Sequence, residues 1–198
     1  MIIKKTTKQL KEERPSPESL KSLPRTPISV VADNIRSLDN IGLLFRLCEV
    51  ARVERLYITG YSGHPRIDHD ERQNTIIERH ERRIEKTAVY ALPYQPWEYH
   101  ENPIPLVESF KKHGHKIIAL EQTEQSIPYH TVLITDYRLP ITLLVGHERQ
   151  GVRQELLDLA DQIIEIPILG LGNSHNVAIS TAIVLYHILE KTGQLSNS

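Results

Sequence analysis

An α/β domain built on a mostly parallel sheet is the fold class that this 198-residue chain predicts. Short apolar runs rich in Ile, Val and Leu recur along it, and segments of helical periodicity separate those runs. The turns at the ends of the runs carry Gly, Pro and Asn, the residues that stop both element types.

The elements follow in order. Residues 1–27 are polar and contain Pro15, Pro17, Pro24 and Pro27, so they read as an extension with at most a short helix around 7–13. A buried strand at 28–32 opens the fold. Asp39 stands where an N-cap belongs, ahead of a helix at 41–51 with Leu43, Leu44, Leu47, Val50 and Ala51 on one face. A second strand spans 55–59 and ends at Gly60. Acids and bases alternate over 71–85, the pattern of a solvated helix, and 86–90 reads as a short strand. A helix at 105–112 is stopped by Gly114. Strands at 116–120 and 141–145, a helix at 154–160, a strand at 162–166 and a long helix at 176–190 complete the series. The expected organisation is a basic, Pro-containing extension (1–27), one domain (28–192) and a short tail (193–198), without internal repeats.

Composition narrows the function classes. Apolar content of 39% and charged content of 25% are those of an ordinary globular domain. No apolar run approaches bilayer length, and the opening residues lack the apolar stretch of a signal peptide, so a cytoplasmic protein without membrane partners is expected. The lone Cys48 excludes an intramolecular disulfide and a Cys-rich metal site. Net charge is −1, but seven bases and three acids make the first 25 residues +4 and leave −5 for the remainder. Such an arm suits a polyanion, and equally a solvated tail.

Two peptides in the last third carry the chemistry. One is Val145-Gly146-His147-Glu148-Arg149-Gln150-Gly151; the other runs from Ile166-Pro167-Ile168-Leu169-Gly170 through Gly172-Asn173-Ser174-His175-Asn176-Val177. Each joins an apolar strand to a Gly-bearing polar turn, the arrangement with which open α/β sheets bind small molecules. Gly146 and Gly151 have P-loop spacing, but Val152-Arg153 replaces the phosphate-binding Lys-Ser/Thr. Gly170-Leu171-Gly172 lacks the third glycine of a dinucleotide fingerprint. Ser174 beside His175 has no nucleophile-elbow context. The clustered His64, Asp68 and His69, and His113 with His115, lack metal-ligand spacing and read as surface imidazoles, so no metal is expected.

From Asn40 to Arg46 the chain resembles the SpoU/TrmH family of RNA 2′-O-ribose methyltransferases, whose first motif pairs an Asn with an Arg six residues on. The stretch from Val145-Gly146-His147-Glu148 to Ile166-Pro167-Ile168-Leu169-Gly170 resembles the second motif, and Ser174-His175-Asn176-Val177 the third. Lys86-Thr87-Ala88, Ala119-Leu120-Glu121 and Ser126-Ile127-Pro128 resemble the middle region, so the likeness covers about 28–190. His175 departs from the family's Leu, and Tyr90 and its neighbours replace a common Gly-Ala. The resemblance implies the SPOUT fold, a mostly parallel sheet flanked by helices with a C-terminal deep trefoil knot. It also implies S-adenosyl-L-methionine as cofactor, a tRNA or rRNA substrate and a homodimer with the site near its interface.

Carried over residue by residue, the cofactor contacts fall at Gly146, Ile166, His175, Leu120 and Ser174, and the catalytic group comprises Arg46, Asn40, Glu148, Ser174 and Asn176. On the residues alone, Gly146 permits close backbone approach, Ile166 is a core strand residue or an apolar wall, and Pro167 stiffens the turn. Arg46 either snorkels or pairs with Glu49 or Glu148, or it belongs to the catalytic centre; a guanidinium resists deprotonation, so phosphate binding and orientation of the ribose hydroxyl suit it best. Asn40 and Asn176 are also good helix-start residues, and Ser174 a possible cap. Lys4, Lys5, Lys8, Lys11 and the Arg79, Arg82, Arg83 group are candidate phosphate contacts. A non-catalytic RNA-binding or assembly protein with the same knotted dimeric fold is the alternative.

Overall fold

In the computed structural model, which describes residues 2–133 and 137–197, the strand expected at 28–32 forms the middle of β1 (Thr26–Asp33). Two short helices, α1 (Thr7–Glu12) and α2 (Pro17–Ser22), precede it. Then come α3 (Leu38–Val50), β2 (Val53–Thr59), α4 (Asn74–Ala88), β3 (Trp97–His100), α5 (Pro103–Lys112) and β4 (Lys116–Leu120). The two-residue β5 (Ile127–Pro128) and a 3-10 turn (Tyr129–Thr131) lead towards β6 (Ile141–Val145), α6 (Gln154–Leu157), β7 (Gln162–Glu165) and α7 (Val177–Lys191). Met1, residues 134–136, Ser198 and the side chains of Lys11, Lys21, Ser196 and Asn197 lie outside the described residues.

All seven strands pair in parallel, in the order β3-β2-β1-β6-β4-β7-β5. Parallel sheets are stable when both faces are covered, and successive strand residues serve opposite layers here. Val30, Ala32, Leu143, Val145 and Ile118 pack towards α3, α4 and α7. Val31, Leu144, Ile117 and Ala119 pack with Val107 of α5 and Leu156 of α6. β6 enters between β1 and β4, so the chain direction across the sheet switches there. Loops after the carboxyl ends of β1, β4, β6 and β7 therefore meet in one crevice, the place where α/β sheets hold ligands.

Several elements differ from the sequence expectation. Residues 86–88 finish α4 and do not form a strand; Ile77, Ile84 and Ala88 are buried at helical spacing, and Val89 ends the helix with φ of 61°. β3 was not expected, because Trp97-Glu98-Tyr99-His100 is half-buried at a sheet edge and forms no apolar run. Ser37, not Asp39, caps α3: its Oγ accepts from Asn40 N at 3.3 Å, while Asp39 forms an ion pair with Arg83 of α4. The buried face of α3 is Asn40, Ile41, Gly42, Leu44, Phe45 and Cys48, whereas Leu43 and Val50 are exposed. His64 is not a surface imidazole but is buried and stacked on Tyr99 with ring centroids 3.9 Å apart. The extension is tied to the domain where Arg52 donates to the carbonyls of Leu20, Leu23 and Pro24. Among the described residues no helix is long and apolar enough to cross a membrane.

Gly42 sets the approach of α3 to α4. A Cβ there would lie 2.0 Å from Thr87 Oγ1 and 2.4 Å from the carbonyl oxygen of Ile84. Alanine favours an isolated helix over glycine by about 1 kcal/mol, but this contact with backbone is overpacked and outweighs that gain. Gly42→Ala is therefore expected to lower stability by about 1–3 kcal/mol, measured as a fall in the urea midpoint. An unchanged or raised midpoint would show that the helices separate freely.

Candidate active site

The turn after β6 is closed on itself and fastened beyond its end to two neighbouring strands. His147 and Gly151 exchange backbone hydrogen bonds of 3.0 and 2.9 Å, and His147 Nδ1 accepts from the N–H groups of Arg149 and Gln150. Gly146 is required by this closure: an added Cβ would lie 2.3 Å from the oxygen of Gly151. The close approach expected at Gly146 is thus made by the turn's own backbone. Beyond the turn, Glu121 Oε2 at the end of β4 accepts from Val152 N at 2.7 Å. Arg153 then forms a two-pronged pair with Asp33 at 2.7 and 2.9 Å, and Asp33 at the end of β1 is only 1% exposed. A planar guanidinium fork on a carboxylate fixes direction as well as distance.

So fastened, the turn presents Glu148 to the start of α3. Its Oε2 accepts from Arg36 N at 3.0 Å, and its Oε1 accepts from Ser37 N at 3.0 Å and Asn40 Nδ2 at 2.8 Å. Asn40 is buried, and with its amide nitrogen committed to the carboxylate its Oδ1 accepts from Asn176 Nδ2 at 2.9 Å. Asn176 Oδ1 in turn accepts from Ala178 N and Ile179 N, capping α7. One relay thereby joins the β6 turn to the starts of α3 and α7. Partial burial works against the Glu148 carboxylate, yet the N–H donors of Arg36 and Ser37, with the Asn40 amide, hold its pKa below the usual glutamate value.

Under the relay lies a cleft of about 500 Å3. Leu120, Gly146, Glu148, Ile166, Ser174 and His175 all line it, so these expected residues come together. Ser174 does not cap α7; Asn176 does. Arg46 is not with them. It is exposed on α3 between Leu43 and Val50, lines neither this cleft nor the adjoining one, and makes no ion pair with Glu49 or Glu148. Six residues on from Asn40, it sits about 9 Å along the helix and roughly 240° around it.

Sequence reasoning passed over four contributors. Glu121 and Glu165 add carboxylates to the cleft, and Ser126 Oγ donates to Glu165 at 2.7 Å. Arg36 and Arg149 line an adjoining hollow, and Arg149 lines the cleft as well. The only local signal was position: each lies within a few residues of a strand's carboxyl end. Among the described residues no group of three or more His, Cys, Asp and Glu is arranged to hold a metal ion.

The SpoU rRNA Methylase family model matches residues 27–186. A tRNA (guanosine(18)-2′-O)-methyltransferase of Aquifex aeolicus is 31% identical over 157 residues, covering 79% of this chain and 66% of that protein. The chain thus spans just under two thirds of that relative's length. The solved structure of the A. aeolicus TrmH/SpoU tRNA modifying enzyme superposes with a TM-score of 0.67 at 27% identity, covering 90% of this chain and 85% of that one. An AdoMet-bound rRNA methyltransferase from Sinorhizobium meliloti has the same fold, with a TM-score of 0.68 at 22% identity over 90% of this chain and 62% of its own.

The Glu148 relay has a pH signature. A carboxylate whose pKa is lowered on folding adds stability that is complete above its unfolded value, near 4.5, and is lost as pH falls through the lower folded value. Glu148→Gln is accordingly expected to reduce the melting temperature at neutral pH and to converge on the parent protein as pH falls below about 4.5. A constant difference in melting temperature across that range would assign no ionic role to the carboxylate.

Proposed function

The chain belongs to the SpoU rRNA methylase family, and on that premise we propose that it methylates the ribose 2′-hydroxyl of a nucleotide in tRNA or rRNA, with S-adenosylmethionine as donor. One observation carries this reading: two adjoining clefts of opposite character share His147, Glu148 and Arg149. Glu121, Glu148 and Glu165 line the first, and Arg36, Arg79, Arg83 and Arg149 the second. A cation fits one and a polyanion the other.

The first cleft suits the cofactor in size, being within the usual range for small-molecule sites. Leu120, Val145, Ile166 and Val177 offer apolar walls, and the carboxylates of Glu121 and Glu165 attract positive charge. S-Adenosylmethionine, when bound, supplies an electrophilic methyl group on a sulfonium. Gly146, His175 and Ser174 would contact it, and Pro167 stiffens the turn below it. Asn40, Glu148 and Asn176 would act as positioning residues, fixing the two helix starts beside the clefts. Membership of the methylase family favours catalysis over a purely binding or assembly role.

The exposed position of Arg46 supports a homodimer. Leu43 and Val50 flank it on α3, and Ile179 and Tyr186 are exposed on α7, which packs against α3. A second copy on this face covers these apolar residues and brings Arg46 to the partner's site, where its fork binds the phosphate beside the target ribose. The interleaving of β6 between β1 and β4 supports the knotted chain path of the family's fold. The residence consistent with such RNA substrates is the cytoplasm. Residues 1–27 serve as an accessory arm, in which Lys5 is paired with Glu13 at 2.7 Å and Lys4 is exposed.

Methyl incorporation from labelled S-adenosylmethionine into bulk tRNA and rRNA tests the reading; no incorporation and no cofactor binding would overturn it. Arg46→Ala and Arg46→Lys are each expected to lower turnover by about 100-fold, because misplacing a positioning group by an ångström has that effect. Co-expressed Arg46→Ala and Asn40→Ala chains should recover about a quarter of parent activity, since half of randomly paired dimers hold one complete site. Recovery of none would place Arg46 in its own chain's site. Removing residues 1–19, which keeps the carbonyls held by Arg52, is expected to weaken tRNA binding and its salt dependence while cofactor affinity stays level. Unchanged tRNA affinity would deny the arm a role.

A further inference from the structure

Beside the carboxylate-lined cleft, the second hollow has a volume of about 700 Å3. Its guanidinium groups are unequally satisfied. Arg83 is held by Asp39 through contacts of 3.0 and 2.9 Å. Arg36, Arg79 and Arg149 are exposed, and among the described residues none of their side chains has a hydrogen-bond or ion-pair partner. Glu148, the acid on this wall, is already engaged by three donors. Three unpaired like charges around one concavity raise its potential and draw an anion with several charged groups.

An aromatic platform stands in the same wall. Tyr61 is 60% exposed and lines the hollow, with its ring edge-on to His147 at a centroid distance of 6.0 Å. Its backbone is fixed: Gly60 takes φ of 66°, and Tyr61 N donates to Asn34 Oδ1 at 3.0 Å. The ring is thus aimed by β2 and the loop after β1.

We propose that this hollow reads the RNA segment next to the methylated nucleotide, with backbone phosphates on Arg36, Arg79 and Arg149 and one unstacked base on the face of Tyr61. The proposal rests on the methyltransferase reading and adds to it the site that positions the strand. Arginine forks match phosphate oxygens in pairs, and single-stranded RNA is bound by stacking splayed bases on aromatic rings. An acidic polypeptide would satisfy the arginines but leave the Tyr61 ring without a planar partner. Because His147 and Arg149 belong to both clefts, a strand held here passes the carboxylate-lined site directly.

Fluorescence anisotropy with labelled bulk tRNA, across a salt series, tests this. Arg36→Ala and Arg79→Ala should each flatten the dependence of log affinity on log salt by about 0.7 to 0.9. Tyr61→Ala should weaken binding on the order of tenfold without changing that slope, and Tyr61→Phe should restore it. Lys112→Ala, an exposed position of α5 outside both clefts, is the charge control. Hollow variants that lose no more than Lys112→Ala would overturn the proposal, as would polyglutamate displacing tRNA as well as charge-matched polyuridylate does. Calorimetry with sinefungin, an S-adenosylmethionine analogue that carries no transferable methyl group, keeps the two readings apart. Parent protein that binds tRNA through the hollow but binds no cofactor sinks the methyltransferase reading alone. Intact methyl transfer with silent hollow variants sinks this proposal alone.

Discussion

The carboxylate of Glu148 organises everything around it. A half-buried acid that stays ionised needs donors for its lone pairs, and here they come from the backbone before α3 and from the side chain of Asn40. That demand propagates. Once Asn40 turns its nitrogen to Glu148, its oxygen is free for Asn176, and Asn176 must use its own oxygen on the first turn of α7. Three chain segments far apart in sequence thus share one hydrogen-bond direction. Reversing any amide in the series would set donor against donor.

The relay would be idle without rigid support beneath it. The Arg153–Asp33 pair and the Glu121–Val152 contact tie the downstream end of the β6 turn to the strands on either side of β6. Thr59 Oγ1 adds a 2.7 Å hydrogen bond to Asp33, so β2 joins the same anchorage. Asp33, Thr59, Val152 and Arg153 line neither cleft, yet they decide where the cleft walls stand. The separation of charge between the two hollows follows from this anchorage, since Glu121 comes from β4 while Arg36 belongs to the loop after β1.

Much of the fold was legible because periodicity reports burial. The strands at 116–120 and 141–145 match β4 and β6 residue for residue, since each is a short, predominantly apolar run between breakers. Edges were harder. β3 offers alternating polar and aromatic residues, and residues 86–88 carry β-forming Thr87 yet continue the buried stripe of α4. On α3 an apolar face was visible, but Leu43 and Val50 looked like core and are exposed. Hydrophobicity shows that a surface avoids water; it does not say whether the cover comes from the same chain.

The candidate site divides along similar lines. Asn40, Glu148, Ser174 and Asn176 were picked out by their resemblance to the family's motifs, and the local pattern placed them near strand ends and helix starts. Their connection as a relay, the removal of Arg46 to an outer face, and the gathering of Arg36, Tyr61, Arg79 and Arg149 around one hollow were decided only by the tertiary structure. The physical reason is range. Periodicity, capping and turn chemistry act within a few residues and are written locally, whereas hydrogen bonds spanning more than a hundred residues exist only after the parallel sheet has fixed which loops meet.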